Sequence, residues 1–98
     1  MPRSGSPTLK WSAAALADIK RLRAFIEPHN PDAARRAAAS IKQAASTIMT
    51  HPGIGQRLEG RQDRELPVPF GRRGYVIRYR LDGYDIVILR IWHTLEDR

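Results

Sequence analysis

Residues 64–93 read RELPVPFGRRGYVIRYRLDGYDIVILRIWH, and the fold turns on how this stretch pairs with itself. It predicts three β-strands in which arginines stand among aromatic and β-branched residues. Two apolar runs flank Asp82-Gly83, a dipeptide suited to the type I′ turn of an antiparallel hairpin. With that turn, Leu81 faces Tyr84, Arg80 faces Asp85, Tyr79 faces Ile86 and Arg78 faces Val87. Regular alternation then gathers Tyr75, Ile77, Tyr79, Ile86, Ile88 and Trp92 on one side. Val76, Arg78, Arg80, Val87, Leu89 and Ile91 fall on the other. The second strand is apolar on both faces, which predicts a central place in its sheet. Arg78 and Arg80 stand on an otherwise apolar surface, and such a placement needs a partner.

Upstream, the period changes from two to between three and four. Ser12 is placed to cap a helix over 13–27, with Leu16, Ile19, Leu22, Phe25 and Ile26 on one face. Pro28 ends it. Asn30 as cap and Pro31 at the first helical position open a second helix, running to about Thr50. Its inner side carries Ala34, Ala37, Ala38, Ile41, Ala45, Ile48 and Met49, and so many alanines allow the close approach of an antiparallel helical hairpin. Thr8 to Trp11 reads as a short strand. The segment 51–55, HPGIG, reads as a loop, with Pro52, Gly53 and Gly55 as turn residues. The segment 56–62 shows no usable period. The predicted class is α+β: a strand, two helices, then a three-stranded antiparallel meander, with both helices covering one sheet face. Residues 1–7 read as a disordered lead-in and 8–98 as one domain. The helices are expected over the tyrosine face, leaving the Arg78, Arg80 and Leu89 face open, and an open apolar surface of this kind marks an interaction site.

The chain has 98 residues, no cysteine and a formal net charge of +7. Disulfides and thiolate metal sites are excluded, and the lack of cysteine suits a reducing cytosol. His29, His51 and His93 lack the short spacing of a metal site, so no cofactor is predicted. No apolar run reaches a membrane span, and MPRSGSPTL lacks the apolar core of a signal peptide. Only Lys10, Lys20 and Lys42 are lysines; every other basic residue is arginine, whose planar fork suits carboxylate or phosphate. A polyanionic or acidic partner follows.

Six motifs in order resemble one family. They are Trp11-Ser12 before a helix with Asp18 and Ile19, then Asn30-Pro31-Asp32-Ala33-Ala34, then His51-Pro52-Gly53-Ile54-Gly55. Arg64-Glu65-Leu66, YVIRY over 75–79 and ILRIWH over 88–93 complete the series. From about Leu9 to Asp97 the chain resembles the ParE branch of the RelE/ParE toxin superfamily. The resemblance implies two helices packed on a mostly antiparallel sheet, and a cytoplasmic bacterial toxin. It also implies a ParD-like antitoxin, with a ribbon-helix-helix start and an acidic C-terminal segment, that lays a helix and an extended stretch over the toxin. The superfamily holds two mechanisms: RelE-like members cut mRNA on the ribosome, and ParE-like members poison DNA gyrase.

The residue chemistry weighs these. A ribonuclease of this type must activate a 2′-OH, stabilise the phosphorane and protonate the leaving oxygen. No lysine follows Lys42 and no tyrosine follows Tyr84, which counts against it. If the chain were a nuclease, His93 would be the acid or base, Arg78 or Arg90 would stabilise phosphate, and Glu65 would be a partner. Positions three apart on a strand point to opposite faces, which separates His93 from Arg90; His93 is read instead as a strand-end histidine in a structural hydrogen bond. Arg78, Arg80, Arg72, Arg73, Leu89 and His93 are the candidates for contact with antitoxin or target. Arg80 is also read as a cross-strand partner of Asp85, and Arg72-Arg73 as a solvated loop. Trp11 and Trp92 are expected in the core. A third reading, a small nucleic-acid-binding protein, would use Tyr75 and Tyr79 as a stacking surface. The expectation is a gyrase-directed toxin, a binding protein rather than an enzyme.

Overall fold

The computed structural model describes residues 8–96; the predicted disordered lead-in, 1–7, lies outside the described residues. Seven elements follow in order: β1 (Leu9–Trp11), α1 (Ala13–Ile26), α2 (Pro31–Thr50), β2 (Gln56–Arg57), β3 (Arg64–Phe70), β4 (Arg73–Asp82) and β5 (Asp85–His93). The strands form one sheet in the order β1-β5-β4-β3-β2. β1 joins β5 in parallel, and the other pairings are antiparallel. β5 lies between β1 and β4, but it is an interior strand only over Ile86 to Ile88, so the central place expected of it is met in part. The segment 56–62 contributes a fifth strand that the sequence period does not show. Two residues are too few to display a period, and β2 exists only through its ladder to Glu65 and Arg64.

Both helix caps form as read. Ser12 Oγ accepts from the Ala15 N–H at 2.9 Å, and Asn30 Oδ1 accepts from the Ala33 N–H at 3.0 Å ahead of Pro31. Each satisfies an early backbone donor that a helix cannot pair internally. α2 buries Ala34, Ala37, Ala45, Ile41 and Ile48, as its pattern predicts. α1 follows its pattern in part: Leu22 is buried and Ile19 and Ile26 pack against the core, but Ala15 and Asp18 are buried too, whereas Leu16 is half exposed and Phe25 is 78% exposed. The helix is rotated so that a carboxylate meets the sheet beside Leu22, and Leu16 and Phe25 do not.

The reason lies at the edge of β5. β1 covers only Ile86 to Ile88. Beyond it, side chains of α1 and the C-terminal turn take the place of a strand. Ser12 N–H and Oγ donate to the carbonyls of Ile88 and Leu89, at 3.0 and 2.8 Å. Asp18 Oδ2 accepts the Ile91 N–H at 2.8 Å, Arg21 Nη2 donates to the Ile91 carbonyl at 3.3 Å, and Glu96 Oε1 accepts the His93 N–H at 3.0 Å. Buried ladder groups must find partners, and α1 supplies them. The opposite edge is treated differently. β3 continues past β2 with Pro67 and Pro69, which have no N–H to offer an incoming strand.

The core lies between the helices and one sheet face, with Tyr75, Ile77, Tyr79, Ile86, Ile88 and Ile91 all at 1% exposure or less. The hairpin register departs from the expectation twice. Asp82 pairs with Asp85, so the turn residues are Gly83 and Tyr84, with positive φ at Gly83 alone (62°). Glycine at the first central position suits a type II′ turn, and it places Tyr79 opposite Ile88 rather than Ile86. Arg80 accordingly faces Val87, and Asp85 pairs instead with Lys10 Nζ at 3.2 Å. Second, the register shifts between Arg78 and Tyr79, with Leu89 as the extra residue of a β-bulge. The bulge reverses the alternation beyond it. Ile91 pairs with Ile77 in the core, and Trp92 pairs with Val76 on the opposite face, the reverse of regular alternation. Trp11 packs against the core as expected, and Trp92 is buried as expected, but on the opposite sheet face and outside the main core cluster.

The loop 51–55 is tied to the core by Tyr79, whose hydroxyl accepts the Gly55 N–H at 2.8 Å and donates to the Pro52 carbonyl at 2.7 Å. Tyr79→Phe leaves the buried Gly55 N–H without a partner, and we expect a loss of about 1–3 kcal/mol. Urea unfolding checks this: the midpoint should fall with the slope unchanged.

Candidate functional site

The sheet face away from the helices carries Glu65, Val76, Arg78, Arg80, Val87, Arg90 and Trp92, and Lys10 joins it from β1. Its centre is made by the bulge. A regular ladder continuing from Tyr79–Ile88 would set Leu89 opposite Arg78; the extra residue sets Arg90 there instead. Two residues farther along β5, Trp92 receives both arginines. The guanidinium carbon of Arg78 lies 4.8 Å from its ring centroid and that of Arg90 lies 5.1 Å away. Trp92 is 8% exposed, although it stands on the outer face. Such cation–π contacts attract each arginine to the ring and offset part of the repulsion between them.

Each guanidinium is also held by an internal carboxylate. Arg78 donates from Nε and Nη2 to Glu65 Oε2, at 2.9 and 2.7 Å. Arg90 donates from Nε and Nη2 to Asp18, at 2.8 and 3.2 Å. Asp18 also binds Arg21, which reaches Glu96 at 2.9 Å. Burial by itself would raise the Asp18 carboxyl, but hydrogen bonds from Arg90, the Ile91 N–H and Arg21 together outweigh it and hold it below the usual 3.8. The bond to Asp18 in turn raises Arg90 above the ordinary arginine value. The Asp18 side chain is 3% exposed, so it is the buried anchor of the Arg21–Arg90 half of the array.

The predicted site residues divide between the two sides of the sheet. Arg78, Arg90 and Glu65 come together, with Glu65 serving Arg78 rather than His93. His93 pairs with Tyr75 on the helix-facing side, ring to ring at 5.4 Å. Its Nδ1 accepts the Leu95 N–H at 3.1 Å, which is the strand-end hydrogen bond expected of it. Arg80 is exposed on the open face, and Leu89 is partly buried within the bulge. Arg72 occupies the exposed β3–β4 turn, but Arg73 is the first residue of β4, opposite Phe70. Tyr75 and Tyr79 are buried beneath the helices and offer no surface for stacking bases. Asp18 is the residue that motif reading passed over as chemistry. The available signal was its place on the apolar stripe of α1, three residues after Ala15 and four before Leu22.

A two-helix layer on a small sheet, with a basic opposite face, is the architecture that the RelE/ParE resemblance implies. The chain belongs to the ParE toxin family: the model described as "ParE toxin of type II toxin-antitoxin system, parDE" matches residues 9–98. It is similar to the toxin RelE1 of Caulobacter vibrioides, 37% identical over 91 residues covering 93% of this chain and 97% of that toxin. Toxin RelE3 of the same organism is 40% identical over 81 residues, 83% of this chain and 87% of the relative. Among solved structures, the fold matches a chain of the chromosomal ParDE toxin–antitoxin system from P. aeruginosa. That match has a TM-score of 0.75 at 26% identity, over 92% of this chain and 98% of the other.

Proposed function

We propose that this toxin acts by binding DNA gyrase and trapping it on cleaved DNA in the cytoplasm, and that a ParD-like antitoxin silences it. The observation that carries this reading is the separation of the groups a ribonuclease would need. Acid, base and phosphate stabiliser must converge within hydrogen-bond reach of one phosphodiester. Arg78, Arg90 and Glu65 lie on the open face, while His93 lies on the other side with one ring nitrogen already engaged. The ParDE system matched by fold supports the antitoxin partner. The open face supports the mode of binding, since its arginines suit the acidic segment expected of such an antitoxin. The names of the C. vibrioides relatives favour a second reading, ribosome-dependent mRNA cleavage.

A gyrase supercoiling and cleavage assay with the antitoxin-free chain separates the two. Accumulation of cleaved complex at stoichiometric toxin is the expected result. Inactivity of a folded preparation on gyrase, with mRNA cut on stalled ribosomes, would reverse it. His93→Gln should leave toxicity within about twofold of wild type, because a gyrase-binding mechanism asks nothing of its proton. A loss of activity with the fold intact, seen in a growth-arrest assay beside circular dichroism, would make His93 catalytic.

A further inference from the structure

Resting on the antitoxin reading above, we infer that Arg78 and Arg90 form a two-arginine receptor, over the Trp92 ring, for one carboxylate of the antitoxin. Three observations carry it. First, the two arginines are direct cross-strand neighbours. Like charges in that position repel, and although Glu65 and Asp18 each offset one of them, neither carboxylate lies between the two. Second, the bulge at Leu89 creates the pairing, and bulges re-aim side chains at functional sites. Third, both guanidinium groups are oriented before any partner arrives. Glu65 accepts from Nε and Nη2 of Arg78, Asp18 accepts from Nε and Nη2 of Arg90, and the guanidinium carbons lie within 4.8 and 5.1 Å of the indole centroid. The Nη1 end of each arginine donates no hydrogen bond among the described residues. A carboxylate placed across the two ends completes both forks and relieves the repulsion between them, with little side-chain freedom left to lose.

A protein carboxylate fits better than a nucleic-acid phosphate. The flanking side chains on this face are aliphatic, Val76 and Val87, and among the described residues its aromatic ring, Trp92, is already covered. A base would find no plane to stack on. An acidic side chain with apolar neighbours would find both charge and aliphatic contact, and the exposed Arg80 extends the positive face beside Val87.

The test uses the full chain and its cognate antitoxin. Each antitoxin Asp or Glu is replaced by its amide, and affinity is measured against wild-type toxin and the variants Arg78→Lys and Arg90→Lys. Lysine keeps the charge and removes the fork. One acidic position should lose about tenfold or more against wild type and little against either variant. If every acidic position loses the same factor against all three toxins while wild type binds well, the receptor is wrong and the antitoxin reading stands. If wild type does not bind the antitoxin, both fail. A short single-stranded RNA that competes with the antitoxin, and is itself weakened by the lysine variants, would make the occupant a phosphodiester and overturn the assignment. Should the variants misfold, Trp11→Phe leaves Trp92 as the sole indole: its emission should change on antitoxin binding, and constancy through a saturating titration would also overturn the proposal.

Discussion

Asp18→Ala should cost about 3 kcal/mol of unfolding free energy, the largest loss expected from any single truncation on α1. The figure follows from what the carboxylate holds. It accepts the Ile91 N–H on the edge of β5 and pairs with Arg21 and Arg90. Hydrogen bonds to charged groups contribute about 1.5–3 kcal/mol, and an orphaned buried N–H costs about 1–3 kcal/mol. Both arginines are more than two-fifths exposed, so they can turn to water, and the larger penalty for a stranded buried charge does not apply. Urea unfolding measures the loss, and a change under 1 kcal/mol would mean that α1 does not depend on this anchor.

The same network sets a pH dependence. The Asp18 and Glu96 carboxyls both lie below their ordinary values of 3.8 and 4.5 in the folded chain. For Glu96, burial again pushes upward, and the His93 N–H and Arg21 outweigh it. A lowered folded value means that the stabilisation is fully present above the unfolded pKa and is lost as pH falls. Stability should therefore decline below about pH 4.5 and fall further beneath 3.8. Asp18→Asn should be less stable at neutral pH and should lose less across that acid interval. Parallel declines in the two proteins would remove Asp18 from the account.

Gly74→Ala should be the most damaging substitution in the sheet, at about 2–3 kcal/mol, the upper part of the range for overpacking. Gly74 stands opposite Pro69, and a Cβ there would lie 2.3 Å from the Val68 carbonyl oxygen. The obstacle is backbone, so no rotamer change relieves it; β3 must move away from β4. Gly53→Ala is the control. Nothing lies within 4 Å of its added Cβ, so its thermal midpoint should stay close to wild type. Equal midpoints for the two variants would show that the β3–β4 contact yields freely.

Much of the fold was written locally. Ser12 and Asn30 cap their helices because a short side-chain oxygen can reach a backbone N–H three residues on, whatever surrounds it. The apolar stripe of α2 follows from period and burial. The family likeness was legible too, since its six motifs run along the chain in order. Composition likewise carried the basic, arginine-rich character of the chain.

The site was not local. Alternation assumes a regular ladder, and no residue of the run 86–92 announces that Leu89 will be squeezed out of register. A bulge of one residue exchanges the faces of everything beyond it, sending Ile91 inward and bringing Trp92 and Arg90 out beside Arg78. The orientation of α1 was hidden for a related reason. Helical periodicity rewards Leu16 and Phe25, but β1 ends after three residues and leaves the backbone of β5 unpaired. Satisfying that backbone called for a carboxylate, and Asp18 took the buried position while Phe25 stayed in water. Sequence alone determined which elements form and which charges they carry. Only the tertiary structure decided which of those charges meet, because a ladder register and an orphaned sheet edge exist only once distant strands are paired.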